Sequence, residues 1–307
     1  ERTGAVREMT RAGMSAAVRR MQAHILLHLH EEITADELAR VAGYSAWHAK
    51  RMFRQLTGLP PFEYIRRLRL SKAALALRDA PASVLEVALD SAFDSHAGFT
   101  RSFSREFGLT PSQYRRQPRP IQLFLPYPVG PHRKKGEPLM NGKTTRAIFV
   151  QVIERPARKI LLKRGIAARD YFAYCEEVGC EVWGLLCSVK EALYEPAGFW
   201  LPERLRPAGS SEYVQGVELP LDWNGPVPAG FELAEFGPAR MMQFQGEPYA
   251  DEDFVTEIEA VIAKIDIVKP EPHGFEWAKE AAPRFQFEPR GTRGYIEARP
   301  VRALKQA

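Results

Sequence analysis

Up to about residue 116 the apolar positions recur at three- and four-residue intervals, the spacing that gathers them on one side of a helix. Capping residues mark where the helices start. Thr34 and Glu37 have the spacing of a capping box and predict a short helix over 35–41. Gly43 permits a tight turn, and Ser45 caps a second helix over 46–56. Ser83 and Glu86 predict a helix over 84–89 in the same way, and Ser95 caps one over 96–107. Thr110-Pro111 opens a last helix, with proline in the first turn, where its missing N–H leaves no bond unmade. Between the two sets, 61–78 is predicted as one long helix carrying Arg66, Arg67, Arg69 and Lys72. It fixes the spacing of its neighbours, and its charges are candidates both for phosphate contact and for ordinary solvated surface.

Beyond Arg146 the period changes to alternation. Strands are expected over 147–154, 159–166, 212–219 and 240–245, with further strands at the end, and helices over 170–193 and 252–265. The text between, 117–145, holds six prolines and three glycines, which sustain neither a helix nor a central strand. Its apolar patch Leu123-Phe124-Leu125 is expected to pack on a domain surface. The chain therefore divides into an all-α unit over 14–116, a proline-rich linker over 117–145, and an α+β unit over 146–307.

The helical unit is internally duplicated. A shift of 50 residues pairs Arg51 with Arg101, Phe53 with Phe103, Gly58 with Gly108 and Leu59 with Leu109. It also pairs Pro61 with Pro111, Tyr64 with Tyr114 and Arg66 with Arg116. Each copy reads as a helix-turn-helix. On the second helix of the first copy, Ala49, Met52, Phe53 and Leu56 share one side, and Trp47, Lys50, Arg51 and Arg54 share the other. On its counterpart, Phe99, Phe103 and Phe107 form the inward stripe, leaving His96, Ala97, Thr100 and Arg101 outward. Arginine donates bidentately to guanine, and an aromatic ring meets thymine methyls or sugar, so both faces suit a major groove. Ser45, Arg54 and Arg66 are candidates for the DNA backbone. One such face alone is equally a solvated charged surface. Two at one offset supply readers for successive grooves about 34 Å apart.

Charge strengthens this division of labour. Residues 1–120 hold 19 Lys/Arg against 12 Asp/Glu, while 146–307 hold 20 against 25, within a net charge of +5. A basic half beside an acidic half assigns the polyanion to the first unit. No run of about 18 apolar residues is present, and the opening ERTGAVREMTRAGM lacks the apolar stretch of a secretory signal. Cys175, Cys180 and Cys187 form no C-x-x-C pair. Reduced, buried thiols in a cytoplasmic, non-membrane protein are the expectation. His24 and His28 share a helix face with His30 nearby, yet no ligand spacing accompanies them, so no metal or cofactor is assigned.

The strings AGYSAWHAKRMFRQLTG, YIRRLRLSKAALAL and FDSHAGFTRSFSREFGLTPSQYRR closely resemble the AraC/XylS family of regulators, within it the MarA/SoxS/Rob branch. The resemblance implies sequence-specific binding of double-stranded promoter DNA, chiefly as an activator in contact with RNA polymerase. It implies base reading by Trp47, Lys50 and Arg51 in one copy and by His96, Ala97, Thr100 and Arg101 in the other. Lys50 stands where that branch commonly has glutamine, and His96-Ala97 where it has two glutamines.

The second unit contains no nucleophile–base pair, phosphate loop or metal cluster legible in sequence. Its aromatic load is mostly core. Glu288 follows Arg284-Phe285-Gln286-Phe287, so alternation puts it with Gln286 opposite the phenylalanines. On a pocket wall this carboxylate favours cationic or hydrogen-bonding lipophiles; otherwise it is a surface glutamate. The strings EYVQGVELP, ARMMQFQGEPY and FQFEPRGTRGYIEARPV resemble the gyrase-inhibitor-like ligand-binding domains of multidrug-responsive regulators. That resemblance implies a pseudo-twofold antiparallel sheet with helices, and a pocket for a small amphipathic effector around a central glutamate. Glu288 maps to it, with Glu297 as competitor, and Trp183, Tyr213 and Trp277 join it as candidate ligand contacts. Some domains of that type are hydrolases, which makes Glu288 a general acid or base in the alternative reading.

Overall fold

The structure, a computed structural model, describes residues 2–126, 147–250 and 253–304. The chain forms two compact units, Glu1–Glu137 and Pro138–Ala307. Residues 127–145 of the expected linker, with Arg133, Lys134, Lys135 and Lys143, lie outside the described residues.

The first unit is helical: α1 (Arg2–Leu27), α2 (Ala35–Ala42), α3 (Ala46–Thr57), α4 (Pro61–Asp79), α5 (Val84–Asp90), α6 (His96–Phe107) and α7 (Pro111–Arg116). Both expected capping boxes form. The Thr34 and Ser83 hydroxyls accept from the N–H of Glu37 and Glu86, whose carboxylates accept from the cap N–H in return. Thr110 and Gln113 make a third. The duplication is exact from cap to cap: α6 follows α3, and α7 follows the start of α4, at the same 50-residue offset. The turns differ. The first is closed by Gly43 at φ 75°, whereas the second is a residue longer between its caps and puts Ala92 at φ 52°. Ala17, Val18, Met21 and Ile25 of α1 bury against Leu38, Ala49, Phe53 and Tyr64. Leu123 is buried, and Phe124 sets its ring against Tyr64 and takes the Ser71 hydroxyl on its N–H, so this patch does pack on the helical unit.

The second unit is an antiparallel sheet with helices. Its strands are β1 (Ile148–Arg155), β2 (Arg158–Arg164), β3 (Ala197–Trp200), β4 (Tyr213–Pro220), β5 (Glu232–Phe236), β6 (Ala239–Gly246), β7 (Phe275–Trp277), β8 (Arg284–Phe287) and β9 (Ile296–Ala303). Their spatial order is β1-β6-β9-β8-β3-β4-β2-β5, with β7 also on β9. The single helix expected over 170–193 is two, α8 (Tyr171–Val178) and α9 (Val182–Ser188). Gly179, at φ 91° and ψ 149°, breaks it in a conformation that suits only glycine. Helix α10 (Phe254–Asp266) follows β6. One face of the sheet packs Tyr213, Val217 and Leu219 with α8 and α9, and Met242 and Phe244 with α10. The other buries Ile160, Phe199, Val214, Met241, Phe285 and Ala298.

Candidate nucleic-acid interface and effector site

Helices α3 and α6 each turn one stripe inward. Ala49, Met52 and Phe53 are buried on α3, Phe99 and Phe103 on α6, and the opposite faces meet solvent. On α3, Trp47 is 62% exposed, and Lys50, Arg51 and Arg54 are exposed as well. The Arg51 guanidinium stacks 5.3 Å from the Trp47 centroid, and His48 meets the same ring edge-on. This presents a large apolar plane beside a cation. Ser45 caps α3, and its hydroxyl lies 2.9 Å from His48 Nδ1. On α6, His96, Ala97 and Arg101 are exposed. Thr100 differs from the outward position expected of it: it is half-buried, and its hydroxyl is sheltered without a hydrogen-bond partner.

Arg66 is a correction. Expected at the DNA backbone, it is committed within the protein. Its Nη2 donates to Glu63 at 2.6 Å and to Glu106 at 2.9 Å, while Arg67 donates to the second Glu106 oxygen at 2.7 Å. Glu106 belongs to α6, so the two arginines fasten that helix to α4. Arg69 caps other chain ends: it donates to the carbonyls of Leu29, Glu31 and Ala92, and burial pulls its pKa down. Of the four cations assigned to this helix, Lys72 is exposed. Arg20 of α1 plays the same part for α2, donating to the carbonyls of Val41 and Ala42. None of these partners is legible in sequence, because each pair joins residues at least 20 positions apart.

A helix-turn-helix domain model matches residues 38–117. The Right origin-binding protein of Escherichia coli is 47% identical over 91 residues, which are 30% of this chain and 32% of that relative. The probable transcription factor PqrA of Proteus vulgaris is 40% identical over 89 residues, covering 29% of this chain and 73% of PqrA. The regulatory protein SoxS of Salmonella typhimurium is 41% identical over 88 residues, covering 29% of this chain and 82% of SoxS. The chain belongs to the AraC/XylS family. The match spans about a third of the Right origin-binding protein.

Beyond the shared region, this AraC-family chain carries a polar row across its sheet. The register sets Phe244, Glu297, Gln286, Gly198 and Gln215 side by side on β6, β9, β8, β3 and β4. They lie on the helix-bearing face, between the parts covered by α8–α9 and by α10. Glu297 is fully buried. One of its oxygens accepts from Arg284 Nη2 at 2.7 Å, the other from Arg299 Nε at 2.6 Å. The Tyr295 hydroxyl lies 2.9 Å from both Glu297 and Gln286, and its one proton serves either. Arg299 also reaches Asp266 of α10, and Arg284 stacks 4.1 Å from the Trp200 centroid. Burial holds the Tyr213, Tyr174 and Tyr295 phenols well above their ordinary pKa, so they stay protonated donors. Gly198 is required here: a Cβ on it would sit 2.0 Å from the Tyr213 hydroxyl. Gln215 is buried with its carbonyl oxygen unpartnered.

Glu288 is placed elsewhere. Pro289 cannot extend the ladder, so β8 stops at Phe287 and Glu288 leaves the strand. It accepts from Arg290 at 3.0 Å, within a cluster that includes Glu195 and Arg293. Tyr213 stands in the row, its ring against Trp200. Trp277 packs 6.4 Å from Phe244 at the far end, and Trp183 is buried in α9. The thiols also depart from expectation: Cys180 is exposed, Cys175 and Cys187 half-buried. Among the described residues, no helix is long and apolar enough to cross a membrane, and no group of three or more His, Cys, Asp or Glu side chains is placed to hold a metal ion.

Proposed function

We propose that the chain is a sequence-specific transcription regulator that reads double-stranded promoter DNA through α3 and α6. The observation that carries this is the duplication of an exposed cationic face at one offset, on two helices with the same caps. Trp47, Lys50 and Arg51 read one segment; His96, Ala97 and Arg101 read the next, with Thr100 joining after a rotamer change that frees its hydroxyl. Ser45 and Arg54 meet the backbone, while Arg66 orients α6. The relatives named as transcription regulators support this reading. Arg51→Ala and Arg101→Ala each cost about 1–3 kcal/mol and relax preference at different base pairs. Equal losses on selected and random duplexes would contradict it.

The second unit takes a small amphipathic effector against the polar row, with Glu297 rather than Glu288 at its centre. Trp200 and Tyr213 offer aromatic surface, and the orphaned Gln215 oxygen invites a donor from the ligand. The hydrolase alternative fares worse, because guanidinium groups already engage both Glu288 and Glu297. The test is a thermal-shift screen of amphipathic compounds on the whole chain. A compound at 100 times its Kd stabilises by about 2.7 kcal/mol, and Gln215→Leu abolishes the shift. A screen without any shift, or one indifferent to Gln215→Leu and Trp200→Ala together, overturns it.

A further inference from the structure

The break in the helical text at Gly179 has a chemical result. Helix α8 ends at Val178, and Gly179 turns the chain back so that Cys180 meets the thiol of Cys175, one turn earlier in the helix. The two sulfurs are hydrogen-bonded to each other, and the Tyr171 hydroxyl, four residues before Cys175, reaches both. Cys180 is exposed and Cys175 half-buried, so one thiol faces solvent and its partner waits behind it. The helix is anchored: Asp170 caps it through the Ala173 N–H at 2.9 Å, and Glu177 accepts from the N–H groups of Ile166 and Ala167. Tyr174 of the same helix packs its ring 5.6 Å from Tyr213 in the polar row.

We propose that Cys175 and Cys180 form a redox modification site at which a hydroperoxide produces an intramolecular disulfide. The Cys180 thiolate attacks the peroxide oxygen and breaks the O–O bond, giving a sulfenic acid at Cys180 and an alcohol. The Cys175 sulfur then attacks the sulfenic sulfur; the S–S bond forms, the S–O bond breaks, and water leaves with the thiol proton. Two thiols are oxidised, and one hydroperoxide is reduced to alcohol and water. The hydrogen bond from Cys175, reinforced by Tyr171, holds the Cys180 pKa below that of an ordinary thiol, which favours the attacking form. Cys175 is pushed the other way by the same contact and by burial, as suits a resolving partner. The proposal goes beyond effector sensing and does not depend on it.

The test exposes the whole chain to a small excess of hydrogen peroxide and counts the thiols left. Two of the three are lost together, Cys187 remains titratable, and peptide mapping finds Cys175 joined to Cys180. Cys175→Ser leaves a sulfenic acid that dimedone traps at Cys180, and Cys180→Ser forms no disulfide within the chain. Oxidation of Cys187 as fast as Cys180, a disulfide between chains, or full retention of three thiols overturns the proposal. Mapping the unmutated chain keeps this decisive even if a variant misfolds.

Discussion

Tyr64 and Tyr114 occupy equivalent positions in the duplicated halves, and burial raises both phenols to about 12. Their hydroxyls are not equivalent. Tyr64 accepts from Gln22 Nε2 at 3.1 Å, whereas the Tyr114 oxygen is buried without a partner. Losing a satisfied buried hydrogen bond costs about 1 kcal/mol, while removing an orphaned hydroxyl costs little. Tyr64→Phe therefore lowers the urea midpoint, and Tyr114→Phe leaves it unchanged or raises it slightly. Ala92 is a second local contrast. A left-handed conformation costs a residue with a Cβ about 1–2 kcal/mol, so Ala92→Gly raises the melting temperature; a fall would mean that the Cβ contributes packing. The repeat was visible in sequence at both tyrosines, but the Gln22 contact was not, since it lies 42 positions away.

Among the elements, α6 depends on the Glu106 ion pairs for its seating on α4. Glu106 has 11% of its side chain exposed, which places these pairs between surface and interior. Glu106→Gln is expected to cost about 1–3 kcal/mol, and to weaken contacts made by α6 more than those made by α3. Footprinting that loses both halves of the site equally contradicts this role. Helix starts in this unit were legible because each rests on a local device: a capping box, a serine cap, a first-turn proline. The second unit was legible only in part. Short strands β3 and β5 have little periodicity to announce them, and the break between α8 and α9 turns on one glycine within an otherwise helical run. Glu288 was misplaced for a similar reason: alternation continued through it, while Pro289 ended the ladder. The burial of Glu297 between Arg284 and Arg299 depends on strand register, which no single segment encodes.

For the molecule as a whole, charge is divided between a basic helical half and an acidic sheet half, and binding through the first releases counterions from DNA. Affinity is expected to fall linearly on a log–log plot of binding constant against salt, with a slope of about −0.9 per phosphate contacted. Arg54→Ala makes that slope shallower by about one contact, and Arg66→Ala leaves it unchanged because Arg66 is already paired with carboxylates. The most direct measurement selects duplexes from a random pool with the whole chain and repeats the selection with Arg51→Ala and with Arg101→Ala. The expected result is a motif of two boxes about one helical turn apart, with one box degraded by each substitution. Enrichment of no motif, or loss of the same box from both substitutions, contradicts two helices reading successive grooves.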